Sequence, residues 1–149
     1  MITIYCDGAC RGNGTSNSRG GWAYIIQRGD TTHRAAGGEK STTNQRMELM
    51  AAIMALKEAT CNYPLESVEL YTDSAYLCNC YLQNWWKGWE KNGWVNSKKE
   101  PVANQELWKE LIQFFNLQYV QIFKVKGHNN IPRNEEVDKM ACAAADKIK

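Results

Sequence analysis

The sequence predicts an α/β fold, a mixed five-stranded sheet with helices on both faces. Three observations lead there. Residues 2–7, ITIYCD, alternate in polarity and are rich in β-branched side chains, as a half-buried strand requires. Strand-like and helix-like segments then follow in the order βββαβααβα, without repeats or low-complexity linkers. A helical stretch over about 43–60 lies between the first and fourth strands. It can carry the chain back across the sheet, so those two strands can run parallel as neighbours. A sheet with helices on both faces is the natural packing for such an order.

The elements follow in turn. After the first strand, CRGNGTSNSRGG is a loop with four glycines, and WAYIIQ is the second strand. RGDT, carrying Gly29-Asp30, is a tight turn into a third strand that runs through about Ala36. STTNQRMELMAAIMALKEAT opens with capping residues and runs helical to about Thr60, with Pro64 in the connection beyond. SVELYTD is the fourth strand, and SAYLCNCYLQNWWKGWEKNGW is one or two helices ending near Gly93. VNSKKEPVA is a loop, and NQELWKELIQFF is a helix with Leu107, Leu111 and Phe114 on one stripe. YVQIFKVK is the fifth strand and GHNNIPR a loop. In NEEVDKMACAAADKI, Asn134 is the expected cap of a last helix, with acids in its first turn. Val137, Met140, Ala141, Ala144 and Ile148 are expected to face inward.

Composition bounds the function. A chain of 149 residues suits one domain, taken as 1–149, and is too short for two comfortable cores. The net charge of +2 gives no global basic field, so nucleic-acid binding would need a local patch. No apolar run reaches the ~18–20 residues that span a bilayer. The N-terminus reads as a strand rather than a signal peptide, so a cytoplasmic location with reduced cysteines is expected. The six cysteines form no CxxC pair and the only histidines are His33 and His128, which argues against structural zinc.

The acids carry the chemistry. MELMAAIMAL, residues 47–56, has nine apolar residues and one carboxylate, Glu48. Asp7 ends the first strand and Asp73 the fourth. In open α/β sheets, ligands bind beyond the carboxyl ends of parallel strands. Glu48 lies just over one turn into the crossover helix, and Asp138 lies in the first turn of the last helix. Each acid has an ordinary reading. Asp7 could be a turn residue, Asp73 a helix cap, Asp138 a solvated first-turn acid and Glu48 a partner of Arg46. Their convergence at one end of one sheet argues otherwise. Two carboxylates ~5 Å apart repel by roughly 3 kcal/mol at an effective dielectric of 20. Divalent cations reverse that sign, and all-oxygen donors suit Mg²⁺ or Mn²⁺ rather than zinc.

YCDGAC, TTNQRMEL, YTDS and VKGH…NEEVD, in this order and over essentially the whole chain, resemble bacterial-type ribonuclease H. The resemblance implies a ribonuclease H-like fold of strand order 3-2-1-4-5. It implies an enzyme that cuts the RNA strand of RNA–DNA hybrids, leaving 5′-phosphate and 3′-hydroxyl ends. Asp7, Glu48, Asp73 and Asp138 would hold Mg²⁺, with Mn²⁺ as the alternative and two ions per active site. His128 would be the mobile catalytic histidine. Cys10, Asn13, Thr43, Asn44 and Gln45 would touch the hybrid; Thr43 and Asn44 also suit the helix start, and the two roles are compatible. The expected partner is the hybrid, with no membrane, and the chain is expected to act as a monomer.

NWWKGWEKNGWVNSKKE holds four of the six tryptophans, and four lysines against two glutamates. Aromatic faces and local positive charge suit a nucleic-acid backbone. Trp85 is the best contact candidate, Asn104 and Trp108 are weaker ones, and packing is the ordinary role for the rest. Glu90 and Asn92 stand where the family often carries basic side chains, and Ala75 where glutamine is frequent. Two other functions fit the same fold: a non-catalytic hybrid-binding module, which need not keep four acids, and a DNA-directed nuclease, which would lack TTNQRMEL.

Overall fold

The computed structural model describes residues 1–13, 15–96, 98–115, 120–125 and 132–148. The chain order is β1 (Ile2–Arg11), β2 (Arg19–Arg28), β3 (Thr31–Lys40), α1 (Asn44–Asn62), β4 (Val68–Thr72), α2 (Ala75–Leu82), α3 (Trp85–Asn92), α4 (Gln105–Phe115), β5 (Val120–Lys124) and α5 (Pro132–Asp146). The sheet order is β3-β2-β1-β4-β5, as expected. β1–β2 and β2–β3 are antiparallel hairpins, whereas β1–β4 and β4–β5 are parallel. Among the described residues no helix is long and apolar enough to cross a membrane.

The alternation of β1 sorts its side chains onto two faces. Ile2, Ile4 and Cys6 enter the larger core with Leu49, Ile53 and Leu56 of α1. Tyr5 and Ala9 pack on the other side, against Ala23, Ile25 and the α5 residues Val137 and Ala141. By the same pleat Asp7 shares the α5 side. α1 packs on β1 and β2 and also meets α4, so it is buried nearly all round. That explains why its sequence is apolar on every face.

Three sequence expectations need correction. The strands around the glycine-rich loop are longer than read: β1 pairs as far as Arg11↔Arg19, and β3 pairs as far as Lys40. The glycines of RGG looked like loop residues but belong to β2. A β-carbon on Gly21 would lie 2.2 Å from the carbonyl oxygen of Ala141, so glycine there lets α5 sit directly on the strand. Asn134 is not the cap of the last helix. α5 is already helical from Pro132, whose missing N–H costs nothing in a first turn. Asn134 is buried inside the helix, and Asp138 falls in its second turn.

The third correction concerns Trp108, which is fully buried and therefore not a surface contact. Its indole N–H donates to the Tyr76 hydroxyl at 2.8 Å, and its ring packs on Tyr76 and Trp89. Trp89 also meets Trp94. Most of the tryptophan-rich segment therefore packs α3 against the body, while Trp85 stays 38% exposed.

Candidate active site

β1 and β4 run in register through Tyr5↔Tyr71. Carried two positions further, that register sets Asp7 level with Asp73, which follows the last residue of β4. Asp7 does not end its strand as expected, because β1 runs on to Arg11 in its pairing with β2. It is only the parallel pairing with β4 that stops short of Asp7. α1 adds Glu48 from one face. A β-carbon on Gly8 would lie 2.4 Å from the Glu48 nitrogen and 2.5 Å from the Met47 carbonyl carbon. Glycine at position 8 thus allows α1 to touch β1 backbone to backbone. α5 adds Asp138 from the other face, where its side chain hydrogen-bonds with Asp7.

The electrostatics follow from that placement. Burial pushes the Asp7 carboxyl up to about 9, helped by the charge of Asp73 and the hydrogen bond with Asp138. The Gly8 N–H, donated to Asp7 Oδ1 at 2.8 Å, acts in the opposite direction. Burial also lifts Glu48, to about 7, against a hydrogen bond from Ser74 and with the charge of Asp73. Asp7 is thus coupled to Asp73 and Asp138, and Glu48 to Asp73. Among the described residues no three acidic, histidine or cysteine side chains converge on a single point. The four instead flank the sheet's end from both faces. Their donor chemistry fits divalent cations: all donors are oxygen, and two of the acids are held partly protonated by burial and mutual repulsion.

Two contributors escaped the sequence reading. Ser74, rather than Asp73, caps α2: its hydroxyl accepts from the Leu77 N–H at 3.1 Å. The same hydroxyl also acts on Glu48, holding its carboxyl down against the effect of burial, so one side chain serves the helix start and an acid. Asp73 is thereby spared a capping role. Tyr76 lies within the field of Glu48, and its hydroxyl also meets the side chain of Asn104. The signal for Ser74 was present in the string TDS; Tyr76 carried none, because its role depends on α4.

The expected hybrid-contacting residues separate into groups. Asn13 Oδ1 accepts from the Asn44 N–H at 3.0 Å, joining the glycine-rich loop to the start of α1. Thr43 caps α1 by accepting from the Arg46 N–H. The Cys10 thiol points at the Thr42 carbonyl, 3.5 Å away. Gln45 is exposed beside them. Asn104, with φ 58°, stands apart with Tyr76 and α4, and the exposed Trp85 donates its N–H to Gln83 at 2.9 Å. His128 lies outside the described residues.

Known proteins are similar to this chain in sequence and in fold. Residues 1–146 match the family described as RNase H. The chain is 48% identical over 145 residues to a protein named Ribonuclease H from Moorella thermoacetica, covering 96% of this chain and 90% of that one. It is 49% identical over 148 residues to a Ribonuclease H from Acetivibrio thermocellus, covering 99% and 95%. Among solved structures it is similar to LC9-RNase H1, described as a type 1 RNase H with the type 2 active-site motif. That match has a TM-score of 0.81 and 28% identity, over 97% of this chain and 72% of the other. LC11-RNase H1 in complex with RNA/DNA hybrid shares the fold, with a TM-score of 0.69 and 24% identity over 99% and 98%.

Proposed function

Since this chain belongs to the ribonuclease H family of bacterial type, whose members use divalent metal ions, we propose that it hydrolyses the RNA strand of RNA–DNA hybrids with two such ions held by Asp7, Glu48, Asp73 and Asp138. Mg²⁺ is the ion the oxygen donors suit best, with Mn²⁺ as the alternative. The observation that carries the reading is Asp7. It is a buried acid within β1, just past the point where pairing with β4 ends, with the charge of Asp73 on one side and a hydrogen bond with Asp138 on the other. When bound, the ions supply Lewis acidity at the phosphate and a water of lowered pKa. In-line hydrolysis would then leave 5′-phosphate and 3′-hydroxyl ends.

The chain's own residues do the rest. Ser74 acts on Glu48 near the start of α1, and Gly8 lets the start of that helix approach β1. The fixed Asn13–Asn44 contact presents Asn44 and Gln45 together, with Cys10 and Thr43 near by, as a polar reader for the ribose 2′-hydroxyl that separates RNA from DNA. Trp85 and Asn104 would meet the hybrid on the side of α3 and α4. His128, near neutrality by its chemistry, would assist proton movement. Residues 1–149 are read as one domain that works as a monomer, in the cytoplasm.

Labelled RNA–DNA hybrid, double-stranded DNA and double-stranded RNA, each offered with Mg²⁺ and with chelator, test this reading. Metal-dependent cutting of RNA in the hybrid alone supports it. Equal cutting of duplex DNA would favour a DNA-directed nuclease, and binding without cutting a hybrid-binding module.

A further inference from the structure

The end of the sheet beyond the acids carries an arrangement that the catalytic reading leaves unused. Strand pairing places Arg11 opposite Arg19, and Arg19 opposite Lys40. Three cations therefore lie in one row across β1, β2 and β3. Like charges directly opposite one another destabilise a sheet. Arg11 is offset by Asp146 at 3.0 Å. Arg19 donates to the Ile148 carbonyl oxygen at 3.3 Å and also acts on Asp146 by its charge. Among the described residues it makes no ion pair of its own, so most of its five N–H groups stay available. Lys40 has no ion pair among the described residues.

Arg19 and Lys40 also line a cavity of about 310 Å³ with Ser16, Asn17, Ser18 and Ser41. Its walls are fixed. The Ser41 N–H donates to the Ser18 carbonyl at 2.8 Å, and the Ser41 hydroxyl to the Ser16 carbonyl at 3.1 Å. Ser18 Oγ bridges the backbone N–H and carbonyl of Thr42, each at 2.8 Å. With the Ser18 and Ser41 hydroxyls donated to backbone carbonyls, the Ser16 hydroxyl and the Asn17 amide are the remaining side-chain donors of the wall, and beside two closely set cations they have the chemistry of an anion site.

We infer that Arg19 and Lys40, with the Ser16 hydroxyl and the Asn17 amide, grip a backbone phosphate of the hybrid away from the cleaved linkage; this rests on the hybrid-cleaving function proposed above. The placement fits. Arg11, at the head of the row, stands four residues along β1 from Asp7, about 13 Å at the rise of a strand. Arg19 and Lys40 lie one and two strands over from Arg11, which puts the notch about 14–16 Å from Asp7. At about 3.4 Å of duplex axis per phosphate of one strand, that is roughly four to five steps from the reacting linkage where the duplex axis follows β1. The same loop reaches the Asn13–Asn44 contact, which keeps the notch in fixed relation to the reader.

Steady-state cleavage of a long hybrid, and of a short hybrid ending within about three steps of the cut, tests this with wild type, Lys40→Gln and Arg19→Gln/Lys40→Gln. For the long hybrid, KM is expected to rise several-fold in the double variant. The slope of log KM against log salt should fall by about 0.9 for each phosphate that is no longer neutralised. The long-to-short KM ratio should shift in the same order as the charge removed. An unchanged slope on the long hybrid overturns the inference, as does an equal rise in KM on both lengths. Lys40→Gln keeps the test open if the double variant folds poorly. Failure of wild type to cut either hybrid would instead reject the function on which the inference rests.

Discussion

Gly8 and Glu48 meet with no room for a side chain between them: a β-carbon on Gly8 would lie 2.4 Å from the Glu48 nitrogen. The opposing atoms are backbone, so no rotamer change relieves the clash. Gly8→Ala should push the start of α1 off β1 and carry Glu48 with it. Overpacking of this kind costs about 1–3 kcal/mol. Urea unfolding should show that loss, and turnover on hybrid should fall with it. A variant of wild-type stability and activity would mean that α1 is not held by this contact.

The metal-free protein should lose stability as pH rises. Asp7 titrates near 3.8 when unfolded but near 9 in the fold, and Glu48 moves from 4.5 to about 7. Between those values the native state holds protons that the unfolded chain has released, so unfolding free energy falls with pH. The contribution is complete below the unfolded values and is lost through pH 7 for Glu48 and pH 9 for Asp7. Thermal melts in chelator from pH 5 to 9 should slope downward, and Asp7→Asn should flatten them. Mg²⁺ must displace the same protons, so its affinity should rise over this range. A pH-independent melt would contradict the burial assigned to Asp7.

Ser74 serves two partners, and its removal should show both. Ser74→Ala loses the cap of α2, worth about 1 kcal/mol, and the hydrogen bond that lowers the pKa of Glu48. Melting temperature should drop, and the Mg²⁺ concentration for half-maximal cleavage should rise. Ser74→Thr, which keeps the hydroxyl, should restore both. Recovery of stability without recovery of the metal response would remove Ser74 from the site.

His128→Ala should slow turnover while leaving Mg²⁺ affinity intact, since the histidine is assigned to proton movement and not to ligation. Calorimetric Mg²⁺ titration beside cleavage rates checks this. A drop in Mg²⁺ affinity would make His128 a ligand.

The sheet and its acids were legible in the sequence because both obey local rules. Alternation in ITIYCD marks a strand and sorts Asp7 onto one face of it, although the strand runs on past Asp7 to Arg11. Glu48 was legible for the opposite reason, as a charge among apolar residues with no wet face. What stayed hidden depends on contacts between distant segments. The glycines at 20, 21, 37 and 38 look like loop residues, yet the strands run through them. Helix α5 rests on Gly21, and no local pattern reports that approach. Trp108 looks like a surface aromatic until Tyr76 and Trp89 are folded around it. Asn134 looks like a cap because the sequence does not show that Pro132 already begins the turn.

The central claim is that four carboxylates, brought from two strands and two helices, act together on one phosphodiester. Cleavage of RNA–DNA hybrid by Asp73→Asn, measured across a Mg²⁺ series beside its thermal melt, tests this most directly. Asp73 is the acid whose charge acts on both Asp7 and Glu48. The variant is expected to fold and to be at least as stable as wild type without metal, because one repulsive charge is gone, with turnover abolished at every Mg²⁺ concentration. A folded variant that cuts hybrid at the wild-type rate would contradict the claim.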